Sequence, residues 1–115
     1  MAEQQWQSIC KLADINTNTG VCALHNGEQV AIFKVGSEQK LFAVQNYCPF
    51  GDANVLSRGL VGDVAGEIVV ASPLYKQQFK LGSGLCLEDE AVSLKVYSVR
   101  EQAGVVQLQL NNGAI

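Results

Sequence analysis

Asn26-Gly27 stands between two apolar runs, Val21 to Leu24 and Gln29 to Val35, and this dipeptide constrains the chain more than any other. A two-residue hairpin turn of type I′ needs positive φ at both central positions, which asparagine and glycine tolerate and most residues do not. It predicts a tight antiparallel hairpin with a strand on either side. A second hairpin is expected where Ala31 to Val35 meets Leu41 to Gln45 across the polar Gly36-Ser37-Glu38-Gln39-Lys40 connection, which makes a three-stranded meander. Near the C-terminus, Leu94 to Arg100 alternates, turns at Glu101-Gln102-Ala103-Gly104 and returns as Val105 to Leu110. Lys95, Gln107 and Gln109 alternate there with apolar neighbours, so this terminal hairpin is expected to have one wet face. No segment holds a 3.6-residue apolar period over the length that a helix needs. The chain reads as all-β.

At the other end, Trp6, Ile9, Leu12 and Ile15 stand at helix-like spacing with polar residues between; the segment is ambiguous and is read as a short strand around Gln7 to Cys10 and a turn at Ala13-Asp14-Ile15. Trp6 is expected to be a buried anchor of that strand, and His25, beside the turn, a solvent-exposed residue without a catalytic partner. Two segments interrupt the strand pattern. Asn46 to Leu60 carries a proline and two glycines and reads as an irregular loop with a short helical turn. Ser72 to Gln77 is a tight loop between the strands Glu67 to Ala71 and Gln78 to Leu81, the second of which ends at Gly82-Ser83-Gly84. Long loops framed by strands in a small domain are usually functional.

A chain of 115 residues fits one domain, residues 1–115, and its 48% hydrophobic and 17% charged residues suit a folded globule. The net charge of −3 argues against nucleic acid as a partner, since phosphate binding needs a basic surface. The polar Met1-Ala2-Glu3-Gln4-Gln5 start lacks the form of a secretory signal, and no run approaches the ~20 apolar residues of a membrane helix. The expectation is a cytoplasmic protein with no membrane partner and with reduced cysteines. Cys10, Cys22 and Cys86 lie among apolar residues and are expected in the core. One histidine and no Cys-x-x-Cys pair leave too few donors for a typical zinc site, and no glycine-rich phosphate loop follows a strand. The Glu88-Asp89-Glu90 run reads as a solvated loop or a surface that steers a basic partner.

The most specific sequence in the chain lies in the two loops. Asn46-Tyr47-Cys48-Pro49-Phe50 and Val69-Val70-Ala71-Ser72-Pro73-Leu74-Tyr75, followed by Gly84-Leu85-Cys86-Leu87-Glu88, resemble the Rieske-like family over nearly the whole chain. More narrowly, they resemble its branch of small subunits of NAD(P)H-dependent nitrite reductases. A Rieske [2Fe–2S] centre is held by two cysteines on one iron and two histidines on the other. Its loops read Cys-x-His and Cys-x-x-His. Against that pattern Cys48 alone remains, while Phe50, Ser72 and Tyr75 occupy the positions of the first histidine, the second cysteine and the second histidine. Phenylalanine cannot ligate iron, and hydroxyl oxygens are hard donors poorly matched to such a site. Phe50 and Tyr75 are instead suited to fill the vacated volume, and Pro49 and Pro73 to stiffen the loops, so an apolar and hydrogen-bonded plug is expected in place of a cluster.

The resemblance implies stacked antiparallel sheets in a partly open sandwich, with the two cluster-type loops at one end. It also implies an accessory role in an oxidoreductase complex of nitrate assimilation. The large subunit of such a complex carries FAD, siroheme and an iron–sulfur cluster, and reduces nitrite to ammonium with NADH or NADPH. No catalytic, cofactor-binding or metal-binding residue is expected in this chain. Pro49, Arg58, Pro73 and Lys76 are candidates for contacts with the large subunit, the two charges being equally readable as solubilising. The alternative is a free-standing, cluster-less protein-binding module on the same scaffold.

Overall fold

A computed structural model describes residues 6–74 and 76–109. Twelve strands and two short 3₁₀ turns make up the described chain, and every strand pairing is antiparallel. The meander forms as expected, from β2 (Thr19–His25), β3 (Glu28–Val35) and β4 (Lys40–Gln45). Asn26 and Gly27 have φ of 52° and 78°, the two positive values that a type I′ turn requires. With β10 (Val96–Tyr97) added along β4, the meander becomes a four-stranded sheet in the order β10-β4-β3-β2.

This sheet is the middle layer of the fold. From Val30 to Val35 every residue of β3 is buried, so the strand reads as a nearly continuous apolar run because both its faces are covered. Ala31, Phe33 and Val35 point into one core with Val44, Leu56, Val70, Phe79 and Leu81. Val30 and Ile32 point into the other, with Ile15, Ala43, Tyr97, Val106 and Leu108. The first core packs the meander against a second sheet, β7 (Leu60–Val64), β8 (Glu67–Ala71) and β9 (Gln78–Lys80), and the second against a third, β1 (Trp6–Lys11), β12 (Val105–Gln109) and β11 (Val99–Gln102). Between β4 and β7 run the two-residue strands β5 (Tyr47–Cys48) and β6 (Ala53–Asn54) and the 3₁₀ turn Leu56–Arg58.

Several sequence expectations need correction. Leu94 to Arg100 is not one strand: β10 belongs to the middle sheet and β11 to the third, and the chain changes sheets at Ser98. Tyr97 pairs with Ala43 and fills the core between those sheets, so the strand turns a corner that alternation alone does not reveal. Strand β7 has no counterpart in the sequence reading. It is a largely exposed edge strand containing Gly62 and Asp63, two residue types that strands disfavour, and it reaches β8 through Ala65-Gly66 at φ of 51° and 86°. Trp6 is half-buried, and the Arg100 guanidinium lies 4.2 Å from its ring centroid, a cation–π contact at the surface. Cys22 is exposed and Cys10 half-buried; of the three cysteines expected in the core, Cys86 is buried.

His25 departs furthest from expectation. It is only 1% exposed, its Nε2 donates to the Gln109 carbonyl at 3.1 Å, and its Nδ1 lies 2.8 Å from the Gln7 side-chain amide. Its ring stands edge-on to Tyr97, 5.8 Å between centroids. The histidine at the end of β2 thus ties the middle sheet to both β1 and β12. Its partners are 18 and 84 residues away in sequence, beyond the reach of any local pattern.

Candidate functional site

The two loops meet at one end of the fold, where β5 leaves the meander and β8 runs out of its sheet. At their junction Cys48 Sγ lies 3.3 Å from Ser72 Oγ in a buried hydrogen bond, so two of the predicted ligand positions do face each other. Ser72 Oγ also accepts from the Leu74 backbone N–H at 3.3 Å. Each loop is closed by its own backbone: Asp52 N donates to the Cys48 carbonyl at 2.8 Å, Lys76 N to the Ser72 carbonyl at 3.0 Å, and Ser72 N to the Gln77 carbonyl at 2.8 Å. The two loops are also packed together, because Leu74 Cδ1 lies where a Cβ on Gly51 would be, 2.5 Å from that point. Larger residues at position 51 would drive the loops apart.

Phe50 packs against the first core and meets the buried Phe79 ring with 6.1 Å between centroids, so it spends its ring on the core as the plug reading expects. The expectation for Tyr75 lies outside the described residues. Pro49 and Pro73 are exposed and flank the Cys48–Ser72 pair, each following its partner residue in the chain. Arg58 closes the 3₁₀ turn and is exposed, as is Lys76, whose φ is 64°. Lys76 touches the buried pair through its backbone bond to Ser72, and no side-chain bond joins either cation to that pair among the described residues.

Sequence reasoning missed the residue that anchors the first loop. Asn46 is buried, and its Oδ1 accepts from Ser57 N at 2.7 Å while its Nδ2 donates to Gln29 Oε1 at 3.1 Å and to Cys22 Sγ at 3.4 Å. Its backbone N–H and carbonyl are also paired, with the Gln29 carbonyl and with Leu56 N, each at 3.0 Å. One side chain thereby fastens both ends of the loop to the meander. A buried polar residue with every group satisfied is a rigid joint. The only signal available beforehand was an asparagine at a strand end, which equally well suits an ordinary turn. Tyr47 extends the frame by donating from its hydroxyl to the Asp52 carboxylate, which pushes the phenol pKa up.

Behind the second loop, Gly84 has φ of 83°, and a Cβ there would lie 2.3 Å from the Leu94 carbonyl oxygen. Glycine is required at this crossing. It places Cys86 opposite Phe79, and Glu88 Oε1 then accepts from Gln78 N at 2.9 Å, locking the strand that follows the second loop. Burial pushes the Cys86 thiol pKa up, which makes it a core residue rather than a nucleophile.

Known proteins share this fold. The family model described as a Rieske-like [2Fe-2S] domain matches residues 5–109. The nitrite reductase (NADH) small subunit of Salmonella typhimurium strain LT2 is 56% identical over 105 residues, covering 91% of this chain and 97% of that one. The chain belongs to the Rieske-like family of nitrite reductase small subunits. Within the family, the solved structure of the Escherichia coli protein NirD superposes with a TM-score of 0.86 at 52% identity, over 93% of this chain and 97% of that one. A stretch of the nitrite reductase [NAD(P)H] large subunit of Klebsiella oxytoca is also 37% identical over 106 residues, which covers 92% of this chain and 11% of that one. The Rieske-like fold expected from the loops is therefore the fold of this family.

The family model's name implies a [2Fe–2S] cluster, and the residues at the loops do not fit one. Cys48 is the only sulfur at the described ligand positions, and its thiol is engaged by the Ser72 hydroxyl. The position of the first histidine holds a hydrocarbon ring turned toward Phe79. Among the described residues no group of three His, Cys, Asp or Glu side chains is disposed to hold a metal ion. Two irons need four soft donors, and this donor set supplies one.

Proposed function

We propose that this chain is the accessory small subunit of a cytoplasmic NAD(P)H nitrite reductase, a single domain without a cluster or catalytic site of its own, which works by holding and supporting the large subunit. The observation that carries this reading is the buried Cys48–Ser72 hydrogen bond, a closed fastener at the place where a redox member of the fold carries its cofactor. Chemistry then belongs to the partner, in which FAD, siroheme and an iron–sulfur cluster are expected. The relatives named as small subunits support the role, and the Klebsiella relative supports the partnership, because there a similar domain is part of the large-subunit chain itself.

Two measurements test the reading. Mixing the chain with the matching large subunit and separating the products by size should give a complex; two independent peaks at micromolar concentration sink the partnership. Iron analysis and visible absorbance of the purified chain should give no stoichiometric iron and no charge-transfer band, and their presence sinks the plug.

A further inference from the structure

We infer that the large subunit seats on the loop end of this chain, on an apolar patch formed by Leu60, Leu74, Pro49 and Pro73 and flanked by Arg58 and Lys76, and that its own surface there is apolar with a carboxylate rim. The inference rests on the accessory-subunit reading above and adds to it the face and its chemistry. Leu60 is 78% exposed and Leu74 48%, and both prolines are exposed. A scattered surface leucine needs no explanation, but each of these four is tied to the same pair of loops. Pro49 and Pro73 follow the hydrogen-bonded Cys48 and Ser72, Leu74 rests on Gly51, and Leu60 pairs with Ala71, the residue before Ser72.

Three further features converge on this end. Strand β7, which begins at Leu60, pairs only with β8 among the described residues, so its outer edge offers free backbone donors and acceptors beside the patch. The loops are held rigid by the Cys48–Ser72 bond and by Asn46, so docking does not have to order them, and that raises affinity. Finally, Arg58 and Lys76 have no carboxylate within ion-pair reach among the described residues, on a chain whose net charge is −3. Two cations without an ion-pair partner among the described residues, on the segments that carry the apolar residues, match an interface with a polar rim, and the complementary surface carries acids. The other exposed leucines have a different setting: Leu85 and Leu87 sit beside the acidic Glu88-Asp89-Glu90 run, and Leu24 lines an open groove with the Glu28–Lys95 pair. The occupant is the large subunit because a similar domain is built into the large-subunit chain of a relative, where the two are permanent neighbours.

The test uses the full chain and the cofactor-loaded large subunit, with Kd read by titration. Leu60→Glu and Leu74→Glu should each weaken binding by about tenfold or more, the scale of a buried anchor, and Arg58→Glu with Lys76→Glu should both weaken it and flatten its dependence on salt. Leu85→Glu, at an exposed site beside the acidic run, should leave Kd within about twofold. Circular dichroism of every variant checks that it remains folded, and Leu60→Gln serves as a milder variant if the acid does not. Wild-type binding that the loop-end variants leave unchanged, or that the Leu85 variant weakens equally, overturns the inference while leaving the partnership intact. If instead the wild-type chain elutes as a dimer that the loop-end variants break, the patch joins two copies and the inference is wrong. No binding by the wild type overturns the partnership and the inference together.

Discussion

Removing the Asn46 side chain should cost more than the removal of any single exposed group in the first loop. In Asn46→Ala the Ser57 N–H loses its acceptor at 2.7 Å in a part-buried place, and an orphaned buried donor costs roughly 1–3 kcal/mol. The bond from Nδ2 to Gln29 Oε1 at 3.1 Å also goes, but Gln29 is exposed and water replaces its partner, so that loss is near the low end of about 0.5–1.5 kcal/mol. The contact with Cys22 Sγ adds little, sulfur being a weak acceptor. The sum is a destabilisation of about 1.5–3.5 kcal/mol, against about 0.5–1 kcal/mol for Gln29→Ala. Urea denaturation read by linear extrapolation measures both, and an unchanged slope shows that the native state has kept its compactness. Amide exchange supplies an independent readout, since the Ser57 N–H should lose protection while amides of β3 keep theirs. If Asn46→Ala lies within about 0.5 kcal/mol of wild type with the Ser57 amide still protected, the reasoning that makes Asn46 the joint of the loop is refuted.

Two further predictions follow from the polar cluster at the end of the middle sheet. His25→Ala should destabilise the chain by about 2–4 kcal/mol, because it empties a packed site beside Tyr97 and strips the Gln109 carbonyl of its donor; an exposed turn histidine would give under about 0.5 kcal/mol, and that result would contradict the buried linkage. Glu28 accepts hydrogen bonds from Tyr97 OH at 2.7 Å and Lys95 Nζ at 3.1 Å, which together lower its pKa from the ordinary 4.5. A depressed carboxyl contributes stability above its unfolded pKa and loses it as pH falls through the folded one, so stability should decline below about pH 4.5, and Glu28→Gln should flatten that acid limb in denaturation curves taken from pH 7 to pH 3. An identical limb in the variant would show that the pair contributes nothing.

Much of the loop end was legible in the sequence because its determinants are local or are tied to a fixed spacing. The Asn26-Gly27 turn follows from backbone sterics alone, and Cys48 with Ser72 follows from a loop pattern that the family shares. Pro49, Arg58, Pro73 and Lys76, read as candidate partner contacts, are all exposed. What escaped depends on long-range placement. The burial of His25 requires β12 to arrive beside β2, the break at Ser98 requires two sheets to meet at Tyr97, and β7 becomes a strand by pairing with β8 rather than by its own propensity. Cys22 shows the converse error. It lies in a strand of the middle layer but on the edge, where an apolar neighbourhood in sequence does not mean burial.

The central claim is that a plugged Rieske-like domain serves its partner without carrying electrons. The most direct measurement is a titration of this chain into the cofactor-loaded large subunit, with nitrite-dependent NAD(P)H oxidation followed at each addition and the chain's iron content determined beforehand. The account predicts a rate that rises and saturates as iron-free chain is added. A rate indifferent to the chain, or one that rises only when the chain carries iron, would contradict it.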